Sequence, residues 1–290
     1  MKVLWKAALG LVLGGALVAA CSTRATTTAP AGSASAPGYH PGKFVWHDLV
    51  TRDPASCRRF YEALLGWEFQ DTKRSGRPYA VARVGGQPVA GIVVHPEPGD
   101  DPALWLSYLS VPDVDGAVEK VSAAGGKTLY APVDLAGAAR VAVVADPQGA
   151  ALGLARLLDG DPDDPARPRR GHFFWMEYLA ADAPGAVEFY RGVFDFEISV
   201  DPKAKNVEYH VLRRDGRSRA GLFQLPKENE KVDPNWLPYV LVDDPASLAG
   251  RVESLGGTVI LAPRPEIRGG TLAIVADPTG GALALQKWPL

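Results

Sequence analysis

From residue 43 the chain alternates between a period of two and a period near 3.6. The run VWHDLVT (45–51) is strand-like, built of aromatic and branched side chains. Asp53-Pro54 follows it as an N-cap and a proline at the first helical position. Cys57, Phe60, Tyr61 and Leu64 then recur at helical spacing until Gly66 stops the helix. Three short strands are predicted next, over 67–70, 79–84 and 89–94, with Gly85-Gly86 turning the last two into a hairpin. The order then repeats. A strand over 105–111 leads to Asp113, which caps a helix carrying Val114, Ala117, Val118 and Val121, and Gly125-Gly126 ends it. Strands near 128–131, 140–145 and 151–155 complete this half, the last two joined by the turn Asp146-Pro147-Gln148-Gly149.

The whole series occurs twice, at an offset that drifts from 129 (Trp46 to Trp175) to 131 (Trp105 to Trp236). Asp53 matches Asp182, Phe60-Tyr61 matches Phe189-Tyr190, Tyr79 matches Tyr209, Gly91 matches Gly221, and Tyr108 matches Tyr239. Ala145-Asp146-Pro147 matches Ala276-Asp277-Pro278. So many ordered matches mean a duplicated domain. The expected division is a signal segment over 1–20, Cys21 and a flexible Ser/Thr/Ala/Pro-rich tether to 42, and a first domain over 43–156. A Pro- and charge-rich linker over 157–171 and a second domain over 172–290 follow.

The 290 residues suffice for two domains, each large enough for its own core. A net charge of −2 gives no bulk attraction to nucleic acid, and no nucleic-acid partner is expected. Lys2 and Lys6 precede an apolar run, 7–19, that suits a signal segment and is short for a membrane span. The run ends in Val18-Ala19-Ala20-Cys21, which resembles the bacterial lipobox, with Val18 where leucine is commoner. That resemblance implies cleavage after Ala20, lipidation of Cys21 and a membrane anchor of several acyl chains. Ser22 in place of aspartate implies sorting to the outer membrane, facing the periplasm, if the cell is Gram-negative. The other cysteine, Cys57, sits on a helix stripe and reads as a small buried hydrophobe.

Paired βαβββ modules carrying FYEALLGWEF (60–69), FYRGVFDFEI (189–198), WLSYLSVPDVDGAV (105–118) and the endings ADPQGAALGL and ADPTGGALAL resemble the vicinal oxygen chelate superfamily. That superfamily includes glyoxalase I, bleomycin-resistance proteins and extradiol dioxygenases. The resemblance implies an α+β fold of two tandem glyoxalase-like domains, each of paired βαβββ modules curled into a cup-shaped sheet. Metal-using relatives hold a divalent ion with one His, Glu or Gln from each of four strands. Counting from the aspartates and the Asp-Pro turns, the corresponding positions here are Trp46, Ile92 or Val93, Leu106 and Gly153. In the second copy they are Trp175, Leu222 or Phe223, Leu237 and Ala284. None offers a metal donor, so no metal or other cofactor is expected.

Period-two alternation places Asp48 beside Trp46 on the cup face, and Glu177 beside Trp175. Trp105 and Trp236 are expected at the rim, with Tyr108 and Tyr239 further along the same strands. These eight residues form the candidate ligand-binding set, with Asp48 and Glu177 as the candidates for any catalytic role. Two readings stay open. The carboxylate waits for a ligand amine or hydroxyl, or it is satisfied internally by backbone N–H groups or an arginine such as Arg83 or Arg140. The five histidines form no metal-like spacing, and there is no nucleophile elbow, phosphate loop or dinucleotide fingerprint. The function expected is metal-free binding of a small, partly aromatic or cationic molecule in the cell envelope. The alternatives are an enzyme of the glyoxalase/dioxygenase class with a non-standard site and a scaffold lipoprotein for an envelope partner. With two copies in one chain, a monomer with its domains packed together is expected.

Overall fold

A computed structural model describes residues 38–95, 99, 101–202, 204, 207–226 and 232–288. The signal segment, Cys21 and the tether up to residue 37 lie outside the described residues.

The first copy runs β1 (Phe44–Thr51), α1 (Pro54–Leu65), β2 (Glu68–Arg74), β3 (Arg77–Val84), β4 (Gln87–Val94), β5 (Leu104–Ser110), α2 (Val114–Ala123), β6 (Lys127–Leu135), β7 (Ala139–Ala145) and β8 (Ala151–Leu157). The second runs β9 (Phe173–Ala180), α3 (Ala183–Phe194), β10 (Glu197–Val200), β11 (Tyr209–Arg214), β12 (Arg217–Gln224), β13 (Asn235–Leu241), α4 (Pro245–Val252), β14 (Thr258–Leu261), β15 (Leu272–Ala276) and β16 (Ala282–Gln286). Each copy forms one eight-stranded sheet, in the orders β2-β3-β4-β1-β5-β8-β7-β6 and β10-β11-β12-β9-β13-β16-β15-β14. The two βαβββ modules therefore join at the central antiparallel pair, β1 with β5 and β9 with β13. The helices start where the sequence places them. Asp53 accepts from the Ser56 N–H at 3.0 Å, and Asp244 from Ser247 at 3.0 Å, each with proline at the first turn.

Each copy has a core of its own on the cup face, around Leu106 and Val141 in the first and around Leu237 and Leu272 in the second, but its helix side does not stand alone. The helices of both copies lie between the two sheets and share their cores. One core joins α2 and its sheet, through Val121, Leu152 and Leu154, to α3 and the other sheet, through Tyr190, Leu212 and Leu222. The second joins α1 and its sheet, through Phe60, Leu64 and Ile92, to Val240, Val252 and Leu283. The reason lies in the helices. Each has a stripe wide enough to meet its own sheet and the facing helix, so neither copy buries its helix-side apolar surface alone. Cys57 is fully buried at this junction, between the hydroxyls of Thr51 and Thr279, and burial pushes its thiol up to about 11. It is a packing residue.

The opposite face of each sheet curls into a cup. The segment between β8 and β9 is pinned to the body. The Asp161 carboxylate accepts from the His40 N–H at 2.7 Å and the Ser110 hydroxyl at 2.6 Å, and Asp164 pairs with Lys43, Arg217 and Arg219. Those bonds also dock residues 38–42, the end of the stretch expected to be a flexible tether.

Candidate functional site

Alternation on β1 sends Trp46 and Asp48 into the first cup and sends His47 and Leu49 toward the helices. Asp48 is 1% exposed, and its carboxylate is fully engaged. Its Oδ1 accepts from Trp46 Nε1 at 2.8 Å, from the Tyr79 hydroxyl at 2.7 Å and from Arg74 at 3.2 Å. Its Oδ2 accepts from a second Arg74 nitrogen at 2.5 Å. The guanidinium lies 3.7 Å from the centre of the Tyr79 ring and contacts its hydroxyl. Burial, and then the Asp48 charge, push the Tyr79 and Tyr108 phenols well above their ordinary value, so both remain donors. Burial alone would lower Arg74, but the Asp48 charge, the neighbouring Tyr79 and Tyr108 phenols and the hydrogen bond to Asp48 together outweigh it, and the side chain stays cationic.

The second cup repeats the cluster. Glu177, 2% exposed, accepts from Tyr209 at 2.7 Å, from Tyr239 and from Arg268, while Trp175 Nε1 donates to the Tyr209 hydroxyl at 3.1 Å. The arginines are not equivalent. Arg74 ends β2, whereas Arg268 stands in the connection from β14 to β15, in a left-handed conformation (φ 49°) followed by Gly269 and Gly270, also left-handed.

Several sequence expectations are corrected. Trp105 and Trp236 are not at the rim. Each is buried on the helix side, donating to the Tyr61 hydroxyl at 3.1 Å and the Tyr190 hydroxyl at 2.9 Å. The partner of the cup acid is neither Arg83, which donates to Gln70 and Gly86, nor Arg140, which pairs with Asp115 and Asp134. Ile92 and Leu222 face the helices, so Val93 and Phe223 are the cup-facing members of those pairs. Arg74, Arg268, Tyr79 and Tyr209 were missing from the candidate set. The recurrence of Tyr79 as Tyr209 was the available signal for the tyrosines.

The first cup holds two cavities on either side of the Arg74–Tyr79 contact. One of ≈ 410 Å³ is lined by Trp46, Tyr108, Ala139 and Leu157, the other of ≈ 320 Å³ by Asp48, Val93, Leu106 and Val143. Glycines admit the cluster. A Cβ on Gly91 would stand 1.8 Å from the Tyr79 hydroxyl and 2.4 Å from Asp48 Oδ1, and one on Gly153 would stand 2.4 Å from the Tyr108 ring.

These residues do not fit a divalent ion. Trp46, Val93, Leu106 and Gly153 supply no donor to the cup, the Tyr108 ring covers Gly153, and a guanidinium occupies the acid beside them. Trp175, Phe223, Leu237 and Ala284 repeat that donor-free set in the second cup. Among the described residues, no group of three or more His, Cys, Asp or Glu side chains is placed to hold a metal.

His47, behind the acid, stacks on Phe173 at 4.0 Å and shares a 2.8 Å hydrogen bond with Ser107. Burial drives its pKa from 6.5 to about 3, against the opposing pull of Asp48. The unfolded chain therefore binds a proton here, below pH 6.5, that the folded chain refuses. Stability falls as pH drops through that window, with a slope approaching ~1.4 kcal/mol per pH unit. His47→Gln is expected to flatten the slope between pH 6 and 5, above the carboxylate range. Urea unfolding at several pH values reads it, and an unchanged slope refutes the assignment.

Comparison with known proteins places this geometry. The model of the Glyoxalase/Bleomycin resistance protein/Dioxygenase superfamily matches residues 43–154 and 171–285. A Mycobacterium tuberculosis protein named "Putative glyoxylase CFP32" is 30% identical over 261 residues, covering 86% of this chain and 96% of the relative. The Anthracycline biosynthesis protein DauV of Streptomyces sp. is 30% identical over 265 residues, covering 86% and 94%. Among solved structures, the Mn(II)-bound glyoxalase from Novosphingobium aromaticivorans aligns with a TM-score of 0.58 at 18% identity, covering 85% of this chain and 82% of its own. The 2,2',3-trihydroxybiphenyl 1,2-dioxygenase from Sphingomonas wittichii aligns at 0.55 and 14% identity, covering 86% and 91%. At these identities the two structures speak for the fold alone.

Proposed function

The chain belongs to the Glyoxalase/Bleomycin resistance protein/Dioxygenase superfamily, and on that premise we propose that it binds a small molecule without metal in the cell envelope, anchored through a lipidated Cys21. The observation that carries this reading is the first cup. Its ligand positions hold Trp46, Val93, Leu106 and Gly153, its acid is neutralised from within, and cavities of ≈ 320 and ≈ 410 Å³ remain open beside it. Those volumes suit a small organic ligand, and their walls are largely apolar with a few fixed polar groups. The occupied carboxylate weighs against a general-base role for Asp48 or Glu177, because proton abstraction needs an oxygen that can reach the substrate. It also weighs against capture of a ligand cation, which would have to displace an arginine. The lipid anchor is supported by Val18-Ala19-Ala20-Cys21 behind a basic and apolar leader.

A thermal-shift screen of aromatic and apolar small molecules, with and without EDTA, tests the reading. A binder present at a hundred times its Kd is expected to add about 2.7 kcal/mol of stability, and EDTA to change nothing. A stoichiometric divalent ion in the purified protein overturns it. Cys21→Ser is expected to move the protein from the membrane to the soluble fraction, and a variant that stays in the membrane removes the anchor.

A further inference from the structure

The charged groups lining the first cup's cavities come mostly from one hairpin tip. β2 and β3 meet at Ser75-Gly76, both left-handed, and Arg74 and Arg77 are direct cross-strand partners. Arg77 precedes the cup-facing Tyr79 by two residues and shares its face. Arg74 lines both cavities, Arg77 the smaller and Lys73 the larger. Against these three cations, Asp48 is the one carboxylate among the described lining residues. Like charges directly opposed across a hairpin repel each other. Asp48 compensates Arg74, and no ion pair among the described residues includes Arg77. Among the described residues the cup thus holds an arginine pair with one carboxylate beside it.

We propose that the ≈ 320 Å³ cavity receives an apolar-bodied small molecule carrying a carboxylate or comparable oxyanion, bound at Arg77 beside the Arg74–Asp48 pair. Val50, Val93, Leu106 and Val143 make the apolar wall, and Tyr130 stands among them as an aromatic face. This deepens the reading of the first cup as a binding site and rests on it. It reverses the charge expected from the sequence. The cup acid, which suggested a cationic ligand, is consumed by Arg74, and the charge left for a ligand is positive.

Three probes of one shape test the proposal by titration calorimetry on the full chain: 2-naphthoate, 2-naphthalenemethanol and 2-naphthylmethylammonium. Naphthoate is expected to bind at least about tenfold more tightly than the alcohol, the worth of one charge-assisted hydrogen bond. The ammonium is expected to bind weakest. Raising salt weakens naphthoate and leaves the alcohol in place. Arg77→Gln abolishes the naphthoate advantage while the alcohol keeps its affinity within about twofold, and Arg77→Glu inverts the order of the charged probes. The alcohol or the ammonium matching naphthoate overturns the charge assignment and leaves the binding pocket standing. A naphthoate advantage that survives Arg77→Gln also overturns it. If no probe binds, the pocket reading falls and this inference falls with it.

Discussion

Asp48→Ala is expected to cost about 3 kcal/mol of folding stability, more than any other single change in the first cup. The side chain is 1% exposed and holds Arg74, Tyr79 and Trp46 together. Truncation leaves a guanidinium and the Tyr79 hydroxyl without their acceptor, and Trp46 Nε1 with the Tyr79 oxygen alone. Breaking a buried ion pair from one side costs about 3–5 kcal/mol, and the lower end applies because the Arg74 side chain is 23% exposed and can turn to water. The same reasoning makes the double variant Asp48→Leu/Arg74→Met far milder, within about 1–2 kcal/mol of the parent, since both charges leave together. Glu177→Ala in the second cup is expected to match Asp48→Ala, because Arg268 is 24% exposed there. Urea unfolding followed by tryptophan fluorescence measures all of these. A single variant losing under about 1 kcal/mol, or a double variant as damaged as the single, would mean that the pair does not carry the cluster.

What the sequence revealed of this site follows physical lines. The N-caps, the left-handed Gly66 and the period of two on β1 are local properties, so the elements and the inward direction of Trp46 and Asp48 were legible. The same alternation fixes Trp105: Leu106 stands at a cup position, and neighbours on a strand face opposite ways, so Trp105 faces the helices. Arg74 and Arg268 were not legible by comparing the copies, because they come from non-equivalent segments and meet their acids only through hairpin and turn geometry. The shared core was hidden for a related reason. Tyr61 recurs as Tyr190 and Asp146 as Asp277, but recurrence is equally consistent with a bond within one copy or across two.

The structure shows the bond running across, and its removal is the second large effect expected. Tyr61 on α1 donates to Asp277 Oδ2 at 2.9 Å, and Tyr190 on α3 donates to Asp146 Oδ2 at 2.9 Å, so each copy's helix closes on the other copy's Asp-Pro turn. The aspartates have a local duty as well. Asp277 Oδ1 accepts from the Thr279 N–H at 2.8 Å and the Gly281 N–H at 3.1 Å, holding the turn that enters β16. Burial, and then the Asp277 charge, keep the Tyr61 phenol far above its ordinary value, so it remains a donor at any working pH. Tyr61→Phe strips Asp277 Oδ2 of this donor and leaves Trp105 Nε1 without its acceptor. The expected loss is about 2–3 kcal/mol, the range for a buried hydrogen bond to a charged group. Tyr190→Phe is expected to lose as much through Asp146 and Trp236. The two sites share no partner, so the double variant should lose about the sum. A double-mutant cycle of Tyr61→Phe with Asp277→Asn reads the link itself, with a coupling of about 1–2 kcal/mol expected. Coupling near zero would mean that this bond does not link the two copies, leaving apolar packing and the other polar contacts between them, such as Gln148 with Ala181 and Asp182, to hold them. A coupled pair makes each copy's turn depend on a side chain in the other, so neither half should unfold without the other.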